Sequence, residues 1–177
     1  MNRKVEKLIE QNRSAAADFA AAARAIPEGA WTSPIASGKW SPAQHVEHVG
    51  RAYGAAVLDI VNDQPMRLIG TPRQRRWWRL IGLNMVRLFG RLPHGAPAPR
   101  EIRPVERSTH DRSALLNELD EHVRSFENAV GGANEQRGFM HPYFGALTLA
   151  DGVRLIATHT RHHERALRAA LAHSAGQ

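Results

Sequence analysis

Ten histidines and no cysteine in a chain of 177 residues make imidazole the first group to consider for chemistry. In the segment His159-Thr160-Arg161-His162-His163 the outer two histidines stand four positions apart. On an α-helix that spacing places both rings on one face, within reach of a single ion, while His162 points about 100° away. The same stripe otherwise carries Leu149, Val153, Ile156 and Leu167, the side chains of a core face, where a pair of imidazoles needs partners for its ring nitrogens. A metal ion is one such partner. Hydrogen-bonded core histidines and surface histidines also satisfy the spacing.

A further ligand has to come from another element, and His45 and His48 offer themselves three residues apart. A projection at about 100° per residue puts His45 nearer the middle of the apolar stripe and His48 toward its edge, beside Ala52 and Ala55. Projection leans to His45 and leaves the choice open. With cysteine absent, a thiolate site, a disulfide framework and a cysteine nucleophile are all excluded, so any metal must use His, Asp or Glu.

The elements that would position these rings are helical. Residues from Asn2 to about Ile26 lack Gly and Pro and repeat apolar side chains at Val5, Leu8 and Ile9, which predicts a first helix ended by Pro27 and Gly29. Ser41-Pro42 is an N-cap followed by proline at the first helical position, and Val46, Val49, Tyr53, Val57 and Ile60 continue a second helix to about Asn62. A third core helix carries Leu115, Leu119, Val123, Phe126 and Val130 on one face, opened by Ser108 with Asp111 and stopped by Gly131-Gly132. A loop through His141-Pro142 leads to Thr148, which with Asp151 opens a last helix ending near His173. Four such helices without an alternating strand pattern predict an all-α four-helix bundle, residues 1–177 forming one domain.

Residues 67–107 stand apart from this plan. They hold ten arginines against Glu101 and Glu106, and so account for much of the formal charge of +7 and the pI of about 10.9. Pro72 to Leu92 reads as a basic helix and Pro93, Pro97, Pro99 and Pro104 as an irregular connection, together a basic insertion between the second and third core helices. The charged stretch from Met1 to Glu10 has no apolar run behind it, and no segment reaches transmembrane length, which predicts a cytoplasmic protein.

Taken in order, Trp40-Ser41-Pro42-Ala43-Gln44-His45-Val46-Glu47-His48-Val49, then His141-Pro142-Tyr143-Phe144-Gly145 with Thr148-Leu149, then His159 through His163, resemble the DinB/YfiT-like superfamily from Trp40 to Leu171, the basic insertion excluded. The resemblance implies a four-helix bundle with a three-histidine metal site. In that family the ligand on the second helix stands eight residues after the tryptophan, which implies His48, with His159 and His163 as the other two and His45 as a neighbour behind them. One departure stands out: many relatives carry Gln three residues after the last histidine, whereas this chain has Ala166, which bears on the polar support of the site.

Three neutral imidazoles suit Zn²⁺, Ni²⁺ or Fe²⁺ better than Mg²⁺ or Ca²⁺ and leave a position open for water or substrate. The resemblance implies a metal-dependent transferase that activates a low-molecular-weight thiol, or a metal-dependent hydrolase that activates water, acting on a small-molecule substrate, and it implies a homodimer. Glu47, Glu164, His45 and His162 are the nearest titratable neighbours in sequence, and Tyr143 and His141 are placed to rim the pocket; solvated or packing roles are the simpler account of each. The competing class is a non-enzymatic binding module in which Arg73, Arg75, Arg76, Trp77, Trp78 and Arg79, with Arg87 and Arg91, engage an anionic membrane or nucleic acid. The blander account packs Trp77, Trp78, Leu80, Ile81 and Leu83 to Leu88 on the bundle or on a second subunit and leaves the arginines in water.

Overall fold

The computed structural model of the chain describes residues 3–92, 97–105, 111–134 and 136–174. Its helices are α1 (Arg3–Ala25), α2 (Pro42–Asn62), α3 (Pro72–Trp78), α4 (Asn84–Phe89), α5 (Arg112–Gly132) and α6 (Leu149–Ser174), and a hairpin of β1 (Gly138–His141) and β2 (Gly145–Thr148) precedes α6. The four long helices form a bundle in two pairs: α1 lies along α6 and α2 along α5, and the pairs meet where α2 faces α6. Phe19, Val46, Val49, Phe126, Val130, Val153 and Leu167 fill the interior.

Local chemistry fixes where α2 begins, and with it the places of its two histidines. Ser41 Oγ accepts from the Gln44 N–H, Gln44 Oε1 accepts from the Ser41 N–H, and Pro42 supplies a first-turn residue with no N–H to lose. His45 and His48 therefore fall in the first two turns. The start of α6 is set in the same way, with Thr148 Oγ1 accepting from the Asp151 N–H at 3.2 Å. The start of α5 differs from the sequence expectation. Asp111 is itself the cap, its carboxylate accepting from the Ala114 N–H at 2.6 Å, and Ser108 lies outside the described residues.

The stretch read as a loop before α6 is a hairpin in the register Gly138↔Thr148 to His141↔Gly145. Four-residue strands are too short for an alternating pattern to stand out. Phe139 and Leu147 turn into the core, and the Asp59 carboxylate accepts from the Met140 N–H, which anchors the hairpin to α2. Two glycines allow the close fit. A Cβ on Gly138 would meet the Leu147 carbonyl oxygen at 1.8 Å, and one on Gly152 would meet the Phe139 ring at 1.9 Å.

The basic helix of the insertion is α3, a π-helical turn over Arg79–Leu83, and α4. It packs only in part. Leu83 and Val86 are buried, Trp78 lies 5.4 Å from the Tyr143 ring, and Arg87 Nε donates to Asp151 Oδ1 at 2.9 Å. Trp77, Leu80, Ile81, Leu88 and Phe89 are exposed, so the expected packing of this apolar set is divided between the bundle and an open face. Among the described residues no helix is long and apolar enough to cross a membrane.

Candidate metal centre

His48 from α2 and His159 and His163 from α6 converge at the meeting line of the two helix pairs. One ring nitrogen of each lies within 4.8 Å of the others. His159 Nε2 stands 3.0 Å from His48 Nε2 and 3.1 Å from His163 Nε2. Nitrogens bonded to a common ion at roughly 2.1 Å sit about 3.0 to 3.4 Å apart for angles between perpendicular and tetrahedral, so these separations fit a shared cation.

Each outer ring is held from behind. The Nδ1 of His48 lies 2.7 Å from the Ile102 carbonyl oxygen. A carbonyl only accepts, so Nδ1 carries the proton and Nε2 presents its lone pair to the centre. The Nδ1 of His163 lies 2.8 Å from the Nδ1 of His45. If His45 accepts that proton, His163 Nε2 is a second lone pair facing the centre. A proton on His159 Nε2 can serve one of these lone pairs at a time, whereas a cation serves all three nitrogens. His45 on α2 thus stands where polar support for His163 would come from, with its own Nε2 buried and without a protein partner among the described residues, and Ala166 lies on the wall of the adjoining cavity.

Burial also sets the ionisation state. Desolvation, joined by neighbouring histidines, lowers the pKa of His45 to about 4, and desolvation lowers that of His48 to about 4 against the opposing bond to Ile102. His159 and His163 are pushed well below their ordinary value, first by desolvation and then by neighbouring imidazoles. All four are neutral near pH 7, the state a metal ligand requires.

A cavity of about 720 Å³ opens onto the cluster. Its walls are mostly apolar, with Ala52, Ala56, Met66, Trp78, Phe139 and Ile156 among them, and the three histidines supply a polar end. The Trp40 ring lies 4.6 Å from that of His48 and is nearly parallel to that of His163 at 6.2 Å. This explains why a tryptophan eight residues earlier marks the position of His48.

The remaining candidates separate by what they touch. Glu47 is buried, accepts from the Val105 N–H at 3.2 Å and lies 3.7 Å from Arg51, which ties α2 to the insertion. Glu164 pairs with Arg168 at 2.6 Å. His162 borders the cavity with its ring 5.2 Å from that of His163. Tyr143 closes the rim by donating to the Pro97 carbonyl. The Ile102 carbonyl was not legible in the sequence, and His45, expected as a neighbour of the ligands, could not be assigned to His163 in particular. The first is a backbone atom 54 residues from its partner, and the second depends on helix packing.

The sequence matches the DinB superfamily over residues 11–167, and the chain belongs to that superfamily. No protein of curated function matches it in sequence. Among solved structures it is similar to YfiT from Bacillus subtilis, described as a probable metal-dependent hydrolase with an unusual four-helix bundle topology. The two are 17% identical with a TM-score of 0.62, over 99% of this chain and 90% of that one. It is also similar to TT2238, described as a four-helix bundle protein, at 19% identity and a TM-score of 0.59 over 93% of this chain and 98% of that one. At such identities the likeness establishes the DinB/YfiT-like bundle, as the sequence motifs led us to expect.

Proposed function

We propose that the chain is a metal-dependent enzyme acting on a small molecule, with a divalent ion held by His48, His159 and His163. The observation that carries this reading is the approach of three Nε2 atoms to 3.0 and 3.1 Å at the end of an apolar cavity. The donor set, all neutral imidazole, favours Zn²⁺ or Ni²⁺, with Fe²⁺ next. Held there, the ion would make a ligated water or thiol acidic near neutral pH.

YfiT, the similar structure, is described as a probable metal-dependent hydrolase. The roomy, mostly apolar cavity also suits thiol transfer, which must seat two substrates beside the ion. Glu47 and Glu164, the carboxylates next in sequence to the ring cluster, are engaged by Val105 and Arg51 and by Arg168. A water or a thiol at the ion would each lose its proton near neutral pH, and Asp59 and His162 also line the cavity, so these two carboxylates do not decide between the reactions. The apolar walls would shelter an electrophilic cosubstrate, and the histidine end would receive the thiol.

Elemental analysis of protein purified without added metal, beside His48→Ala and His163→Ala variants, tests the site. We expect about one equivalent of a transition metal in the wild type and loss in both variants. Stoichiometric metal surviving both substitutions would overturn the proposal. A screen of thiols with electrophilic acceptors, set against esters and amides, then decides between transfer and hydrolysis.

A further inference from the structure

His141 stands at the end of β1, on the wall of the same cavity but outside the three-histidine cluster. Its ring stacks on Phe144 at 4.5 Å with planes 19° apart. Its Nδ1 accepts from two backbone donors of the hairpin turn, the Tyr143 N–H and the Phe144 N–H, each at 3.3 Å. An atom that accepts two N–H groups carries no proton, so the single proton of the neutral ring resides on Nε2. Burial pushes the pKa of this ring down to about 3, which keeps it neutral through the physiological range. The turn fixes the tautomer and Phe144 fixes the plane. Nε2–H is the polar atom left for the ring to offer the cavity, in an otherwise apolar stretch of wall formed with Phe139, Tyr143 and Phe144.

We infer that His141 is a substrate-binding residue whose Nε2–H holds an acceptor oxygen, of a carbonyl or carboxylate group, in front of the His48, His159 and His163 cluster. A neutral imidazole with its other nitrogen occupied donates without exchanging its proton, so its task is to orient the acceptor and to favour negative charge on it. The substrate class that follows is a small molecule with an sp² oxygen close to its reacting atom. This inference rests on the metal-dependent reading of the site, and the substrate it describes suits both the thiol-acceptor and the hydrolytic variants.

The test uses His141→Asn, because the Asn Oδ1 occupies the place of Nδ1 and keeps the acceptor for the turn while removing the Nε2–H donor. Cobalt-loaded wild type and variant are titrated with acetate and followed by the visible spectrum. We expect equal cobalt uptake and an acetate affinity about tenfold or more weaker in the variant, the scale of one hydrogen bond to a charged group. Equal acetate affinity in the two proteins, or no acetate binding to the wild type, overturns the role of His141 and leaves the metal site standing. Failure to take up cobalt overturns the metal site, and this role with it. If the variant does not fold, the wild type decides: long-range ¹H–¹⁵N spectra of zinc-loaded protein should show His141 protonated on Nε2 with a shift that moves on adding acetate. A proton on Nδ1, or a signal indifferent to acetate, overturns the inference.

Discussion

The Nδ1 atoms of His45 and His163 lie 2.8 Å apart, joining the first turn of α2 to the middle of α6 across 118 residues of sequence. We propose that His45 orients His163 from behind and is not itself a ligand. Outer partners of this kind commonly govern metal affinity by about 10- to 100-fold. We expect His45→Ala to bind one equivalent of metal with affinity reduced on that scale, measured by competition with a chelator; an unchanged constant would refute the assignment.

Acid should destabilise the metal-free protein. His45 and His48 have folded pKa values of about 4 against an ordinary 6.5. The unfolded chain therefore takes up protons first as pH falls through that window. Stability is fully present above about pH 6.5 and declines toward pH 4, by up to about 1.4 kcal/mol per pH unit for each such ring. Thermal melts of chelator-treated protein across this range check the sign, and a midpoint that does not fall contradicts it.

Tyr53 is fully buried, and its hydroxyl bonds Asn12 Oδ1 at 2.8 Å and Thr160 Oγ1 at 3.1 Å, linking α2 to both α1 and α6. Tyr53→Phe strips partners from two buried polar groups at little change in volume. A loss of about 1–3 kcal/mol in urea unfolding is expected, with metal stoichiometry unaltered. A neutral substitution would mean that water replaces the hydroxyl.

Gly152 admits the Phe139 ring into the first turn of α6. Gly152→Ala must push that ring aside, and the hairpin bearing His141 moves with it. We expect a loss of about 1–3 kcal/mol and faster amide exchange over residues 138–148. An equally stable variant with unchanged exchange would show that the ring has room to turn.

The exposed side chains Trp77, Leu80, Ile81, Leu88 and Phe89 form an apolar face of the kind that covers itself in a homodimer, and we propose that it does so here. Sedimentation velocity should give a dimer mass for the wild type and a monomer for Leu80→Glu combined with Phe89→Glu. A monomeric wild type that binds anionic vesicles or duplex DNA in a salt-dependent way would favour the binding module instead.

Much of this architecture is written locally. Ser41-Pro42, Thr148 with Asp151, and apolar spacing near 3.6 residues place α2 and α6 within a residue or two, and the pairing of His159 with His163 follows from those bounds. Projection ranked His45 above His48 for a sound reason, since the core stripe does bury His45. Both rings are buried and both line the cavity. What separates them is which nitrogen meets which partner, His48 Nε2 facing His159 and His45 Nδ1 facing the back of His163, and no projection along one helix resolves that. The contact of Arg87 with Asp151, the carbonyl of Ile102 and the hairpin depend on pairings between distant segments, which no local pattern encodes.

The placement of the three rings on the line where the α1–α6 pair meets the α2–α5 pair gives a bound ion a second consequence. It would act as a reversible cross-link between the halves of the molecule. Ligands brought from positions 48, 159 and 163 come together only once both halves have docked, so metal uptake would report completion of folding. By mass action the bound form would gain about 2.7 kcal/mol at a free metal concentration one hundred times the dissociation constant, a gain shared by both halves of the bundle.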